Sequence, residues 1–323
     1  MVALWRILRH KNCMRSVRHP YQTDLDRIFK RCKGAYSEKT LSGYRGDLHS
    51  FIAWCVDYGH DWVPAAPSTV ACFIDDQTQT LSMATVKRRV EAIKFAHRML
   101  DWPSPALSSE VQLAIRRARR ARPSRPKQSL GLTSDLLRPM LVACPGTLAG
   151  KRDAALISLG YDTLCRSIEL AAMRAEHLAP DLAAILILRA KSDPFGEGRI
   201  AHLSPSTQDS LAQWLEVSGI KEGPLFQGLH TRKMSGRHLD TASIRRIIKR
   251  AAARAELGEK VSSLSGHSMR IGAAQDMMVA GIDQVAIMQA GGWKTISVLG
   301  RYVENAATYA IHERRWAQLV QVR

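Results

Sequence analysis

Six side chains, in the order Arg166, Lys191, His267, Arg270, Trp293 and Tyr302, have the types needed to transfer a phosphoryl group without a cofactor. The transition state of such a reaction spreads negative charge over equatorial oxygens, and convergent guanidiniums stabilise that charge in a pre-organised site. Arginine suits the task because it stays charged and its planar fork binds two phosphate oxygens. A lysine can protonate a leaving oxygen. An indole N–H, which only donates, can hold a nonbridging oxygen. A tyrosine nucleophile needs cations beside it and a proton acceptor, and a histidine can be that acceptor. Each residue taken alone has a plainer reading. Arg166 and Glu169 lie at i, i+3 and can form an ordinary helical ion pair. Lys191 stands beside a turn, where lysines are commonly solvated. His267-Ser-Met-Arg270 is short, and Trp or Tyr in a helical setting is commonly core.

The composition favours the joint reading. The chain of 323 residues has 47 Lys and Arg against 29 Asp and Glu, a formal net charge of +18. The excess is uneven, since residues 1–130 hold 23 basic and 11 acidic side chains. A folded chain so basic and so asymmetric is suited to a polyanion, nucleic acid being the commonest. Other classes are disfavoured. No apolar run approaches the roughly 20 residues of a membrane span, and the opening Met1–Leu8 is too short and too quickly charged for a signal peptide. The six cysteines are scattered with no CxxC pair, as expected of reduced thiols. No Walker loop or GxGxxG occurs, so no nucleotide cofactor is expected, and no His stands at zinc-ligand spacing from the cysteines, so no metal is expected.

At about 150 residues per domain, the length suggests two domains. Residues 1–35 read as a basic leader. Ser37 opens a helical stretch that Gly59 closes, a shorter helix surrounds Val70–Ile74, and residues 82–100 and 109–120 are helical. Residues 36–120 therefore form a helical domain. In residues 82–100 one face is apolar (Val86, Val90, Ile93, Leu100) and another carries Lys87, Glu91, Lys94 and Arg98, a mostly cationic stripe with Arg88 as a further candidate DNA contact. Such a face is either ordinary solvated surface or a DNA-binding one. Lys39, Arg45, and Arg116, Arg117, Arg119 and Arg120 belong to the same basic set. Residues 121–133 read as an extended basic linker, because Pro123 and Pro126 among cations cannot continue a helix.

Residues 134–323 form the second domain. Helices are expected at 134–143 and 151–163, then a strand at 182–189, a turn at 192–198 and a return strand at 199–203. Everything later reads as helical: 205–218, 241–256 (with Arg245 on its surface), 268–280, 283–289, 295–302 and 309–321. The fold class is mainly α in two domains, a helical bundle followed by an α-rich domain with a small antiparallel sheet.

The order of the six residues, and above all Ser265-Gly-His-Ser-Met-Arg270 with Gly291-Gly-Trp293 and Tyr302, resembles the tyrosine site-specific recombinases, or phage integrases, and particularly their Cre-like members. Tyr161–Leu170 and Leu81–Val86 are similar to the matching family segments, and the resemblance runs from about residue 36 to the carboxy terminus. It implies a core-binding domain and a catalytic domain. It also implies that Arg166 and Arg270 bind the scissile phosphate, that Glu169 supports them, and that Lys191 is the general acid of the β-hairpin. His267 assists proton transfer, Trp293 fills a position that is His in many members, and Tyr302 is the nucleophile. Cys165 departs from the usual Leu, and the hairpin is short with Pro194 in it. Tyr309 does not fit the spacing from Gly291-Gly-Trp293.

The resemblance further implies a homotetramer on double-stranded DNA with inverted-repeat sites, a 3′-phosphotyrosine intermediate and a Holliday junction, without cofactor or membrane. The setting would be the cytoplasm of a bacterium, in the nucleoid or encoded by a phage or plasmid. The 309–321 helix carries an apolar stripe of Ile311, Trp316, Leu319 and Val320 that could fold onto its own domain; the resemblance implies instead that it docks on a neighbouring protomer. Two other outcomes stay open: a DNA-binding relative without recombinase activity, and a topoisomerase-like strand-passage enzyme.

Overall fold

The computed structural model describes residues 20–121, 128–188, 198–230 and 233–321, which fall into two units divided between Lys127 and Gln128. Lys191, the 192–197 part of the expected turn, residues 1–19 and the 122–127 part of the linker lie outside the described residues.

The first unit is all helical: α1 (Pro20–Arg31), α2 (Glu38–Tyr58), α3 (Pro67–Thr78), α4 (Met83–Met99) and α5 (Ser109–Ala121). Its helix ends follow local chemistry. The Ser37 hydroxyl accepts from Thr40 N–H at the start of α2, and Gly59 ends that helix in the left-handed region at φ 70°. Ser82 caps α4 in the same way as Ser37. Phe51, Phe73, Val86, Val90 and Ile93 form one part of the core, with Phe51 edge-on to Phe73 at 4.9 Å. His97 is buried in this unit, accepting from Ala65 N–H at 2.9 Å while its Nδ1 faces Ile93 C=O at 2.8 Å. Burial lowers its pKa, so this imidazole is a neutral core group.

Helix α1 lies within the stretch read from sequence as a leader. Leu25, Ile28, Phe29 and Cys32 are buried against Leu48, Phe95 and Ala96, so the described part of that stretch is core rather than tail. Their i, i+3, i+4, i+7 spacing is a helical stripe that the surrounding charge obscures.

The second unit contains α6 (Ser134–Val142), α7 (Leu148–Asp162), α8 (Ser167–Ala171), β1 (Ala184–Ile187), β2 (Arg199–His202), α9 (Pro205–Ser218), β3 (Gln227–His230), β4 (Lys233–His238), α10 (Thr241–Arg254), α11 (Lys260–Ser263), α12 (Ser268–Val279), α13 (Gln284–Gly291), α14 (Ile296–Val303) and α15 (Thr308–Gln321). Helix α7 runs through the core, with Ala155, Leu156, Ile157 and Leu159 fully buried. Trp214 of α9 is also fully buried and donates from Nε1 to Leu225 C=O at 2.9 Å.

Strands β1 and β2 pair antiparallel, from Ala184 opposite His202 to Ile187 opposite Arg199. The expectation that everything beyond residue 203 is helical is corrected by a second antiparallel hairpin, in which Gln227 faces His238 and His230 faces Lys233. Every residue of β4 is exposed, so the strand lacks the apolar alternation by which sequence patterns reveal strands. After the linker the chain joins this unit at once: Leu130 N–H donates to Ser263 C=O at the end of α11 and Leu132 N–H to Ser268 C=O at the start of α12.

Candidate active site

Five of the six chemistry-bearing residues lie among the described residues, and all five belong to the second unit. Arg166 sits at the amino-terminal cap of α8. Its backbone N–H donates to Glu169 Oε2 at 2.8 Å and its Nη1 to Glu169 Oε1 at 2.7 Å. The expected i, i+3 ion pair is therefore formed, and it leaves the rest of the guanidinium for a ligand. Glu169 is buried, so its charge fixes the arginine where water does not compete.

His267 and Arg270 stand at the start of α12, one turn apart. Arg270 is completely buried. Its Nη1 donates to Leu164 C=O, in the loop that leads to Arg166. Leu164 itself holds φ at 48°, a left-handed conformation that costs a β-carbon-bearing residue about 1 kcal/mol or more.

Trp293 follows Gly292, which ends α13 in the left-handed region at φ 67°. A Cβ on Gly291 would lie 2.0 Å from the Trp293 ring, so glycine there is required by the indole's position. The ring is buried, its centre 4.8 Å from that of Tyr302 on α14. The Arg270 guanidinium carbon lies 4.1 Å from the Trp293 ring centre and 5.3 Å from that of Tyr302. Gln275 donates to the Tyr302 carbonyl at 3.3 Å, and Gln128 donates to the Arg301 carbonyl at 2.6 Å while accepting from Asn305 at 2.8 Å. Sequence reasoning missed these two glutamines, because their partners are backbone carbonyls that only the fold brings near.

Arg270 Nε, Arg270 Nη2 and Trp293 Nε1 are buried donors with no hydrogen-bond partner. Leaving such groups unpaired costs roughly 1–3 kcal/mol each, more when charged. Three of them beside one phenol describe a receptor for oxyanion oxygens, with the guanidinium stacked on aromatic faces that set its plane. Burial, followed by the charge of Arg166, lowers the Arg270 pKa, and the neighbouring Tyr302 opposes this.

The His267 pKa is lowered by partial desolvation of the ring, then by Arg270 and Arg166, with Glu169 opposing. The imidazole is thus neutral near pH 7 and able to accept a proton. Cys165 is a buried thiol pushed up to about 11 by burial, so it packs and does not react. Among the described residues, no group of three or more His, Cys, Asp or Glu side chains is placed to hold a metal ion.

The basic residues of the first unit separate into two kinds. Lys39, Lys87, Arg116, Arg119 and Arg120 are exposed. Lys87, Lys94 and Arg119 line a groove of about 360 Å³ between α4 and α5, with Glu91 and Gln112. The others have protein partners. Arg88 donates through Nε and Nη2 to the buried Asp47, and Arg117 pairs with Asp75 at 2.8 Å. Lys94 pairs with Glu91 at 3.0 Å, Arg98 donates to the Tyr36 hydroxyl, and Arg45 lies over the Phe29 ring. In the second unit Arg245 is exposed on α10.

The fold has counterparts among known proteins. The profile of the phage integrase family matches residues 131–308. The chain belongs to that family, and is a tyrosine recombinase, an enzyme that cleaves and rejoins DNA. Within the family it is Cre-like. It is 27% identical to the recombinase Cre of Escherichia phage P1 over 297 residues, covering 85% of this chain and 86% of that one. To an integrase/recombinase XerD homologue of Selenomonas ruminantium it is 29% identical over 295 residues, covering 85% and 84%. In fold it resembles the Tn1549 transposon integrase solved with circular intermediate DNA (TM-score 0.63, 15% identity, 90% of this chain and 98% of that one). It also resembles residues 75–356 of lambda integrase, solved as a dimer on a core site (TM-score 0.63, 16% identity, 88% and 95%). Among the described residues no helix is long and apolar enough to cross a membrane.

Proposed function

We propose that the chain is a site-specific DNA recombinase with Tyr302 as its nucleophile. The phenolic oxygen attacks a backbone phosphorus, the bond from phosphorus to the 5′ oxygen breaks, and the 3′ phosphate stays on Tyr302 as a diester. His267 accepts the phenolic proton, directly or through water, and Lys191 supplies one to the departing 5′ oxygen. Arg166, Arg270 and Trp293 hold the nonbridging oxygens, where stabilisation is worth most as charge develops. A 5′-hydroxyl of a second duplex then attacks the phosphotyrosine and releases Tyr302. Bond energy is kept in the protein–DNA link, so the cycle needs neither nucleotide hydrolysis nor a metal.

The observation that carries this reading is the set of three buried, unpartnered donors on Arg270 and Trp293 beside the Tyr302 ring. By likeness to Cre, four protomers hold two inverted-repeat sites and exchange strands through a Holliday junction. Helix α15, with Trp316 exposed, serves as the contact to the next protomer. Lys39, Lys87, Lys94, the α5 arginines and Arg245 bind the DNA, mainly at phosphates.

Covalent capture tests the reading. Wild type and Tyr302→Phe are mixed in EDTA with fragmented, nicked DNA from the source and denatured in SDS. The expected result is an adduct with wild type alone, and recombined rather than merely relaxed products from intact sites. Salt-sensitive binding without an adduct would point to a DNA-binding relative, and relaxation without exchange to strand passage.

A further inference from the structure

We infer that Arg199 is a positioning residue for strand cleavage, clamping together the two loops that carry Arg166 and Trp293. The inference rests on the reading of this site as a strand-cleaving centre. Arg199 opens β2, the return strand of the hairpin, and its side chain turns inward. Nη2 donates to Thr163 C=O at 2.6 Å, and Nη1 donates to Ala290 C=O at 2.7 Å. Thr163 stands three residues before Arg166, and Ala290 three residues before Trp293. One planar fork therefore sets the spacing between the loop ahead of a phosphate-binding arginine and the turn ahead of the indole donor. A lysine cannot reproduce this, since a single ammonium does not present two parallel donors at that separation.

Two further features show how fully the clamp determines these loops. The next carbonyl along, Leu164 C=O, is taken by Arg270 Nη1, so guanidiniums from β2 and from α12 seize successive peptide groups. Leu164 between them is held at φ 48°, a conformation that persists only where surrounding contacts impose it. On the other side, the Cβ position of Gly292 lies 3.6 Å from Arg199 Cδ and Nε, so the arginine stem runs directly beneath the turn that leads to Trp293. Without the clamp, the loops would still fold onto the core, but Arg166 and Trp293 would lose their fixed separation. A shift of about 1 Å in such groups can cost around a hundredfold in rate.

The experiment uses the full chain and nicked duplexes carrying the site recovered from wild-type adducts. Single-turnover formation of the Tyr302 adduct is followed at saturating DNA for wild type, Arg199→Lys and Arg199→Met, with DNA affinity measured in parallel. The positioning role predicts a rate constant about 10-fold lower for Arg199→Lys and about 100-fold lower for Arg199→Met, with adduct amplitude and affinity within about twofold of wild type. A merely structural role lowers the amplitude, because fewer molecules are folded, and leaves the rate constant of the remainder unchanged. That result overturns the proposal, as does a normal rate and amplitude. The amplitude is read on whatever fraction folds, so a poorly folding variant still decides. Absence of adduct with wild type overturns the strand-cleavage reading, and the proposal with it.

Discussion

The guanidinium carbon of Arg270 lies 4.1 Å from the centre of the Trp293 ring, and the two residues between them leave three buried donors without partners. The stacking fixes the plane of the guanidinium, while its Nη1 is anchored on Leu164. What remains free points to a ligand rich in oxygens. Trp293→Phe keeps an aromatic face beside Arg270 but removes the indole N–H together with part of the bicyclic ring. Cleavage should slow by about 10-fold, the worth of one hydrogen bond to a charged group, and the smaller buried ring should cost about 1 kcal/mol of stability. Trp293→Ala should in addition destabilise the second unit by about 3–5 kcal/mol, measured by denaturant unfolding.

The pH dependence of cleavage should report His267. Desolvation and the charges of Arg270 and Arg166 hold its pKa below the ordinary value near 6.5. The ring therefore stays neutral and able to accept a proton to lower pH than a free histidine. The acid limb of the cleavage rate should have its midpoint below about 6.5, and His267→Gln should remove that limb. The same shift has a stability sign. Between the folded pKa and about 6.5 the unfolded chain binds more protons, so stability at this residue rises with pH across that window and is lost as pH falls through it. A midpoint at or above 6.5 would contradict the assignment.

In the first unit the adjacent residues Lys87 and Arg88 should behave differently. Asp47 is buried, and Arg88 grips both of its oxygens at 2.7 and 2.9 Å. Asp47 raises the Arg88 pKa through that hydrogen bond and its charge. Arg88→Ala leaves a buried carboxylate whose remaining ion-pair partner among the described residues is Arg89, at 3.8 Å, and should cost about 1–3 kcal/mol of stability. Lys87 is exposed on the groove and, among the described residues, is paired with no acid within salt-bridge distance. Lys87→Ala should leave stability unchanged and reduce the salt slope of DNA affinity by about one.

Much of this site is legible in the sequence because its chemistry fixes residue types. Arg166, His267, Arg270, Trp293 and Tyr302 stand out by kind and order, and the fold gathers them at the ends of α8, α12, α13 and α14. What sequence could not reveal are the groups that act on backbone. Arg199, Gln275 and Gln128 each bond carbonyls far away in the chain, and no local pattern encodes such a partner. The second hairpin escaped notice because all of β4 is exposed and Gly228 and Gly236 interrupt it. Helix α1 escaped for a different reason. Its apolar stripe at Leu25, Ile28, Phe29 and Cys32 is regular, but the basic charge around it resembles a tail.

The most direct test is to find which atom holds the DNA. Wild-type adducts trapped on nicked duplex would be digested with nuclease and trypsin and fragmented in a mass spectrometer. Cleavage after Arg301 and Arg314 yields a peptide that contains both Tyr302 and Tyr309, so fragmentation places the nucleotide on one or the other. Tyr302 lies against Trp293 and Arg270, whereas Tyr309 is 67% exposed on α15. The expected product carries a nucleotide 3′-phosphate on Tyr302. Attachment to Tyr309, or to any residue other than Tyr302, would contradict it.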